Sequence, residues 1–334
     1  MTTLDCLIGI GDHPSNDSVA DRAVLAEELG FDRVSFGETT GWNIVPALTL
    51  IGDRTETVGV SCDVMSPFGR SPAMLGQTAL ALHDATDGRF RLGLGPSSPA
   101  ITERWHGADF DRPLRRLRET VEIIRALYAN GSPAYEGEIF DIAGLKYENP
   151  VPEDPPAIDI STLGPKATEL AGFIGEGWVP QLFTPDGLRD RLGDLERGAE
   201  KGDRSLEDIR VSPIVRACAL EDGERARDLA RQQVGFMLGA YGPYYGNSVA
   251  EQGYPDIVEE LRAAWEERDT ATMAAAVSDE LLDDLAAAGS PEEVRAWLED
   301  YGAIEGVDAV RVGFVAGMGH DDRKETMRAI AELT

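Results

Sequence analysis

The chain has 334 residues, of which 42% are hydrophobic, and no apolar run approaches the ~20 residues of a membrane-spanning helix, which excludes an integral membrane protein. Its 60 acidic and 31 basic residues give a net charge of −29, which disfavours nucleic acid and anionic membranes as partners and indicates a salt-adapted host. Three scattered cysteines argue against a disulfide framework, and the N-terminus lacks a signal-peptide pattern, so we expect a cytoplasmic protein.

Short β-branched runs alternate with helical patterns along the whole chain. The first part predicts strands at 4–10, 33–36, 57–64 and 89–94 and helices at 18–30, 43–53, 72–86 and 113–129. Ser18 and Asp21 are spaced as a capping box for the first helix. The second part predicts strands at 157–162, 177–183, 209–218 and 308–315, with helices at 165–174, from 186, at 223–238, from the capping box at 290–293, and at the C-terminus.

Eight strands, each followed by a helix and without a long linker, predict a single (β/α)8 TIM-barrel domain over residues 1–334. Two interruptions are expected as insertions, at about 130–156, with a hairpin near 134–142, and at about 241–279, which is partly helical. A doubly wound sheet uses the same units and is the main alternative. The barrel places its chemistry in the loops after the strands, so the candidate residues are sought there.

The second and third strands end in residues that can carry chemistry. Glu38 and Trp42 follow the second strand and can supply a proton-transfer group and a ring that stacks on a planar ligand, although a solvated loop also explains them. Asp63 interrupts an apolar strand, where a carboxylate is costly unless it lies at the mouth or has a partner. The neighbouring Cys62 is better explained as a core residue than as a nucleophile, because no histidine is near in sequence.

The fourth and fifth strands end in glycines. Gly93 and Gly95 resemble the start of a dinucleotide fingerprint, but the third glycine is absent and Pro96 follows, so we expect Gly95 to let a flat ligand approach the backbone. The Gly164-Pro165-Lys166 run opens a helix whose free amides, beside the lysine charge, predict a phosphate site. An ordinary helix start is the alternative.

The histidines lack the spacing of metal ligands, and no metal site is predicted. His13 and His106 follow the first and fourth strands, where they can reach the mouth, whereas His83 lies in a helix pattern and is expected to be structural. Tyr244 and Tyr245 lie in the second insertion, either as part of a lid or as core packing.

Several of these segments together resemble the bacterial-luciferase-like family of flavin and deazaflavin oxidoreductases. The matching segments cover nearly the whole chain: 58–94 with Arg70-Ser71-Pro72 and Gln77, Asp87 to Gly95, Gly164-Pro165-Lys166, Leu170 to Gly172, Gly177-Trp178 and Gly289 to Val294. The resemblance implies a (β/α)8 barrel, usually dimeric, that binds a flavin-type ring across its mouth. It also implies a non-prolyl cis peptide at Asp63–Val64.

The resemblance points to the branch that uses the deazaflavin coenzyme F420. Trp42 stands where sugar-phosphate dehydrogenases of this branch carry a tryptophan, but Glu38 replaces their histidine, which argues against that substrate. The segment from Gly164 to Lys166 is similar to methylenetetrahydromethanopterin reductases, another deazaflavin branch.

The leading hypothesis is therefore an F420-dependent oxidoreductase that exchanges a hydride with a small organic substrate. Glu38 is the candidate proton donor or acceptor, Trp42 is a pocket wall, and the expected coenzyme contacts are Asp63, Val64, Gly95, Ser97, Thr162, Leu163, Gly164 and Lys166. The alternatives are a monooxygenase that uses reduced FMN, a methylenetetrahydromethanopterin reductase-like C1 enzyme, and, least favoured, a non-catalytic flavin-binding protein.

Overall fold

The computed structural model describes residues 2–9 and 13–334, so the end of the predicted first strand at residue 10 lies outside the described residues. The strands are β1 (Leu4–Ile8), β2 (Arg33–Phe36), β3 (Gly59–Cys62), β4 (Phe90–Leu94), β5 (Tyr135–Glu136), β6 (Asp141–Ile142), β7 (Ile158–Ile160), β8 (Gly177–Trp178), β9 (Arg210–Val211), β10 (Ile214–Ala219), β11 (Ala286–Gly289) and β12 (Val310–Phe314).

The helices of the described chain are α1 (Asn16–Glu28), α2 (Ile44–Arg54), α3 (Pro72–Ala85), α4 (Pro99–Arg104), α5 (Pro113–Asn130), α6 (Pro165–Ile174), α7 (Pro185–Lys201), α8 (Gly223–Gly239), α9 (Pro243–Glu251), α10 (Pro255–Glu266), α11 (Thr270–Ala276), α12 (Asp279–Leu285), α13 (Pro291–Gly302) and α14 (His320–Ile330). Within the described ranges, no helix combines the length and the apolar character needed to span a membrane.

Parallel strands close into the predicted barrel. The order β12-β1-β2-β3-β4-β7-β8-β9 runs around the sheet, and β10 pairs back to β12. β9 and β10 are two halves of the seventh barrel strand, separated at Ser212-Pro213, where the proline has no N–H to donate to a ladder. Because one half pairs with β8 and the other with β12, the seventh strand closes the cylinder, which confirms the (β/α)8 fold.

The strand β11 and the helices α4 and α12 were not predicted. β11 pairs in parallel with the second edge of β10, from Arg216 opposite Ala286 to Ala219 opposite Gly289. Its Ala-Ala-Ala-Gly sequence has no β-branched residue, and all four residues are buried, so packing rather than propensity makes it a strand. The helix α4 was read as a loop because it spans only six residues.

The two predicted interruptions have different structures. β5 and β6 form the expected antiparallel hairpin, whose turn donates three backbone N–H groups to the buried carboxylate of Glu119 on α5. The second interruption consists mainly of the helices α9, α10 and α11, which pack on one another and on α8.

The N-cap of the first helix lies three residues earlier than predicted. Ser15 is its N-cap, and the backbone N–H of Ser18 donates to the Ser15 hydroxyl, so Ser18 is the third helical residue rather than the cap. Asp21 accepts a hydrogen bond from Arg54 on α2 instead of closing the box. The prediction of Ser18 and Asp21 was therefore wrong, whereas the box at Ser290 and Glu293 is confirmed.

The interior of the barrel is polar, although TIM barrels usually fill it with branched apolar side chains. Asp5 accepts from both Arg210 and Arg311, and Arg91 donates to Asp159. Glycines on neighbouring strands leave room for these groups: a Cβ at Gly59 would lie 2.5 Å from the guanidinium carbon of Arg33, and one at Gly177 would overlap the carboxylate of Asp159.

A small apolar layer separates this ionic network from the open end. Leu7, Val179 and Ile214, from the first, sixth and seventh barrel strands, form a cluster of their own inside the cylinder. The layer is the floor of the mouth, and the residues that follow it on each strand face the space where the sequence places the site.

Candidate active site

A backbone bulge after β3 forms one side of the mouth. The peptide bond between Asp63 and Val64 is cis, as the resemblance implies. The bulge is fixed on both sides, because the Asp63 N–H donates to the Phe36 carbonyl at 3.0 Å and the Met65 N–H donates to the Gly93 carbonyl at 2.9 Å. The bulge is therefore a rigid shelf between β2 and β4.

Gly95 packs directly against this shelf. A Cβ at Gly95 would lie 2.7 Å from Cγ2 of Val64 and 3.4 Å from the carbonyl oxygen of Ser161. The space that an alanine would need is thus taken by the Val64 side chain. Gly93, two residues earlier on β4, is constrained in the same way, because a Cβ built on it would overlap the carbonyl oxygen of Cys62.

Asp63 pairs with an arginine from β12, the last strand of the barrel. Its Oδ1 accepts from Nη1 of Arg311 at 2.6 Å, while its Oδ2 is buried without a partner among the described residues. Arg311 is 0% exposed and also donates to Asp5. Burial lowers the pKa of Arg311, but Asp63 and Asp5 outweigh that effect and hold the pKa above its ordinary value.

Asp5 anchors the lower end of the same network. Burial raises the pKa of this carboxyl, but Arg311, Arg210 and the hydroxyl of Ser212 lower it to about 2. The network therefore keeps its charges in the closed interior and ties the shelf at Asp63 to β1, β9 and β12.

Glu38 is held by a paired contact with Arg70. Both guanidinium nitrogens of Arg70 donate to the carboxylate, one of them at 2.6 Å, and the two side chains are only 18% and 15% exposed. Arg70 lies in the loop after β3, so the pair joins the second and third strand ends. The pair fixes the orientation of the Glu38 carboxylate, whereas a freely solvated loop carboxylate would have no fixed orientation.

Trp42 and Ser97 lie farther out on the rim. Trp42 is 51% exposed, which agrees with a wall or a rim cover and does not decide between them. Ser97 has a φ of +65°, a left-handed conformation that costs a non-glycine residue roughly 1–2 kcal/mol, and the next residue, Ser98, caps α4.

The start of α6 presents an uncapped helix end. Gly164 is the N-cap and has no side chain to accept from the first turn, and a Cβ built on it would meet nothing within 4 Å. The N–H of Thr168 donates to the Gly164 carbonyl, so the amides of Lys166 and Ala167 precede the first intrahelical bond. The Lys166 side chain is exposed and has no ion pair among the described residues.

The two residues before this helix end play different parts. The Thr162 hydroxyl is buried and accepts a hydrogen bond from Nε1 of Trp178 at 3.1 Å, so its side chain belongs to the core. Leu163 is half-buried and packs against that core. The side chains of Thr162 and Leu163 are thus engaged in the core. The groups in this loop that can still contact a ligand are the backbone of these two residues and the side chain of Lys166.

Aromatic side chains surround the outer mouth. Phe68, after β3, stacks on Phe110 with 5.3 Å between the ring centroids, and the centroid of Phe110 lies 6.4 Å from that of Tyr244 on α9. Tyr245 points the other way, where its hydroxyl accepts from Nε2 of Gln181 at 2.5 Å, and burial, with Tyr241 adding to it, raises its pKa to about 12. Tyr244 therefore contributes to a rim, and Tyr245 to the packing beside β8.

The remaining predicted candidates are held in the surrounding framework. The Cys62 thiol is buried and hydrogen-bonded to the Gly93 backbone, and burial raises its pKa to about 12, which removes the nucleophile alternative. His13 contacts Ser18 and Arg22 and meets the edge of Phe36. His106 is exposed beside Gly69, and His83 lies on α3 at the opposite end of the barrel.

The structure thus brings some of the predicted residues together and leaves others apart. Asp63, Val64 and Gly95 are in one packed group, and the Ser161 carbonyl beside Gly95 leads directly into the loop of Thr162, Leu163, Gly164 and Lys166. Glu38 joins the group through Arg70. No contact among the described residues ties the side chains of Trp42 or Ser97 to it.

Three arginines were not assigned a role from the sequence. Arg70 was noted only as part of a matching segment, and Arg216 and Arg311 were not considered. The signal was present, since Arg216 and Arg311 interrupt the apolar strands Ile214–Ala219 and Val310–Phe314 in the way that Asp63 interrupts the predicted strand at 57–64. An arginine two positions from an inward-facing residue of a closed barrel also faces the interior.

Comparison with known proteins agrees with this architecture. A 5,10-methylenetetrahydromethanopterin reductase of Archaeoglobus fulgidus is 27% identical over 92% of both chains, and an F420-dependent glucose-6-phosphate dehydrogenase of Microbacterium testaceum is 31% identical over 64% of this chain and 68% of its own. The structure of the coenzyme F420-dependent tetrahydromethanopterin reductase of Methanopyrus kandleri superposes with a TM-score of 0.84 at 20% identity, covering 99% of this chain and 97% of its own. Residues 6–307 match the profile of the luciferase-like monooxygenases, and the chain belongs to that family.

Proposed function

We propose that the chain is an F420-dependent oxidoreductase that transfers a hydride between the deazaflavin and a small organic substrate. The observation that carries the proposal is the rigid shelf at Asp63–Val64, which faces the uncapped start of α6 across Gly95. Relatives that cover most of the chain are reductases and dehydrogenases, two of them named for this coenzyme, which supports F420 rather than FMN.

The residues present fit the coenzyme. The open space at Gly164, the two amides of the first turn and the exposed Lys166 suit a phosphate, because a helix N-terminus and a cation both favour a negative charge. The shelf at Val64 offers an apolar face for a planar ring. When bound there, the coenzyme supplies a ring carbon that accepts or donates a hydride.

Glu38 is the residue proposed to move the proton. In the oxidative direction the Glu38 carboxylate would accept the proton of a substrate hydroxyl while the carbon that bears it is oxidised to a carbonyl, and the bound coenzyme would take up the hydride. Arg70 orients the carboxylate and stabilises its charge before the proton arrives. In the reductive direction the same carboxyl returns the proton to the oxygen.

The aromatic rim is proposed to exclude water from the reacting atoms. Phe68, Phe110 and Tyr244 come from three separate segments and contact one another at the mouth. Trp42 stands on the rim beyond Glu38 and completes the wall when a ligand is bound. Exclusion of water protects the hydride step and strengthens the interaction of Glu38 with its substrate.

A second candidate is a C1 reductase that acts on a methylene group carried by a pterin-type carrier. The similarity to 5,10-methylenetetrahydromethanopterin reductases over most of the chain favours it. The candidate uses the same coenzyme and the same shelf, and it differs only in the substrate, so activity with methylenetetrahydromethanopterin and with secondary alcohols separates the two.

Titration with purified F420 and FMN tests the cofactor. We expect the protein to quench F420 fluorescence with saturable binding and to bind FMN weakly. Tight binding of FMN without binding of F420 would replace the proposal with an FMN-dependent monooxygenase.

Glu38→Gln tests the proton transfer, with Glu138→Gln as its control. Glu138 also pairs with arginines, Arg112 and Arg115, but on the exposed hairpin. We expect Glu38→Gln to lower turnover about 10²–10⁴-fold without weakening F420 binding, whereas Glu138→Gln changes neither quantity. Unchanged turnover in Glu38→Gln would remove this residue from the mechanism.

A further inference from the structure

The barrel interior carries more arginines than carboxylates. The inward-facing arginines are Arg33, Arg91, Arg210, Arg216 and Arg311, and the carboxylates that pair with them are Asp5, Asp32, Asp63 and Asp159, which leaves an excess of one positive charge. The whole chain has a net charge of −29, so its interior is opposite in sign to its surface. An anion that enters the mouth is attracted there.

Four of these five arginines have acceptors within the protein. Arg311 pairs with Asp5 and Asp63, Arg210 with Asp5, and Arg91 with Asp159. Arg33, at the closed end, donates to the carbonyls of the third and fourth strands. Their charges are therefore used by the fold itself.

Arg216 is the exception. In the described part of the chain its guanidinium makes no ion pair and no hydrogen bond, although the residue is only partly exposed on a barrel strand. Burial lowers the pKa of Arg216, and Tyr245, Tyr241 and Asp63 offset this only in part. Since an arginine stays protonated in proteins, a partly exposed cation is left without a counter-ion among the described residues.

The position of the guanidinium is fixed by its neighbours. Arg216 lies opposite Gly313 of β12, and a Cβ built on Gly313 would lie 2.7 Å from its Nη1 and 3.3 Å from Cδ2 of Leu7. Leu7 belongs to the apolar floor of the mouth. The side chain of Arg216 therefore lies across the top of that floor, on the seventh barrel strand, with β8 between it and the fifth strand, which leads into α6.

Hydrogen-bonding groups stand beside this cation. Tyr245 accepts from the Gln181 amide, so its own hydroxyl proton is available to another acceptor, and the ring of Tyr241 lies 5.8 Å from that of Tyr245. A guanidinium fork beside a phenolic donor matches the oxygens of an oxyanion.

The geometry points to Arg216 as a specificity-determining residue that binds a terminal oxyanion, a carboxylate or a phosphate, on the substrate. The inference rests on the proposed function, because it places this group on the molecule that exchanges a hydride at the shelf. The coenzyme tail has its own cationic site at Lys166, which leaves Arg216 for the substrate.

The test compares alcohols that differ only in the oxyanion, in the absence of coenzyme. Lactate is paired with 1,2-propanediol, and glycerol 3-phosphate with glycerol, each titrated at a fixed ionic strength by calorimetry. We expect the protein to bind the oxyanion of at least one pair about tenfold or more tightly than its neutral partner, as one charge-assisted hydrogen bond provides. The pair with the larger ratio identifies carboxylate or phosphate.

Variants connect the preference to Arg216. Arg216→Met should abolish the preference and Arg216→Lys should reduce it, because the lysine keeps the charge but loses the fork. Arg328→Met, at the exposed end of α14, is the matched control and should keep it. Since Arg216 has no partner to orphan, urea unfolding of Arg216→Met should match the unsubstituted protein.

Three results would overturn the inference: equal affinity within both pairs, a preference that survives Arg216→Met, or an effect of Arg216→Met on F420 affinity alone, which would assign the residue to the coenzyme. These results can be distinguished from a failure of the proposed function. Failure to bind F420 would reject the coenzyme but leave the oxyanion preference measurable, whereas loss of the preference leaves F420 binding intact.

Discussion

Replacing Arg311 by methionine should destabilise the barrel strongly at neutral pH. Arg311 is 0% exposed and gives the buried Asp63 its one hydrogen-bond partner among the described residues, at 2.6 Å. Asp5 loses one arginine in this variant but keeps Arg210 and Ser212. The substitution therefore leaves one carboxylate buried and unpaired, which costs about 3–5 kcal/mol of unfolding free energy.

The destabilisation should depend on pH in a defined direction. An orphaned buried carboxylate is costly only while it is charged, so the folded variant gains a proton more readily than its unfolded chain. Its unfolding free energy then falls as the pH rises. We expect a larger difference from the unsubstituted protein at pH 8 than at pH 5.

Urea unfolding followed by the fluorescence of the buried Trp178 measures this effect. Arg225→Met is the control, because it breaks an exposed pair with Asp322 and should change the midpoint far less. The double variant Arg311→Met with Asp63→Asn removes both charges and should recover part of the loss. A small, pH-independent loss, or a double variant no more stable than the single one, would refute the reasoning.

Further predictions concern acid, packing, salt and assembly. Because the pKa of Asp5 is lowered to about 2, its charge contributes about 2 kcal/mol above pH ~4 that is lost as the pH falls through 2, and urea unfolding of Asp5→Asn should approach the unsubstituted protein only in acid. Gly93→Ala should lower thermal stability by about 1–3 kcal/mol or more, because its Cβ would overlap the Cys62 carbonyl, whereas Gly41→Ala, with open space, should not. The melting temperature should rise between dilute buffer and molar KCl, which screens the net charge of −29; a flat response would contradict salt adaptation. Light scattering should give twice the 36.1 kDa chain mass, and a monomer would contradict the expected dimer.

The polar interior gives the candidate site its electrostatic character. Arg311 and Asp5 lie 306 positions apart in sequence and meet because β1 and β12 are neighbours in the closed barrel. Among the described inward-facing arginines, this pairing leaves Arg216 as the one without a hydrogen-bond acceptor. A substrate with an oxyanion is proposed to pair with this partly exposed charge.

The sequence by itself determined the strands and helices whose signals are local. The strand at 33–36 and the helix with Pro165 at its first position were predicted with their observed bounds, because each is specified by its own residues. The count of βα units determined the barrel. The strand ends then indicated Glu38, Asp63 and the start of α6 before any packing was known.

The tertiary structure decided which of these groups are partnered. Glu38 pairs with Arg70, and the Thr162 hydroxyl accepts a hydrogen bond from Nε1 of Trp178, through contacts between segments that no local pattern encodes. β11 is a strand because β10 offers it a free edge, not because of its alanines. Arg216 is distinguished from the other inward arginines only by what surrounds it, since closure of the barrel, rather than the sequence around each residue, sets the distances between charges.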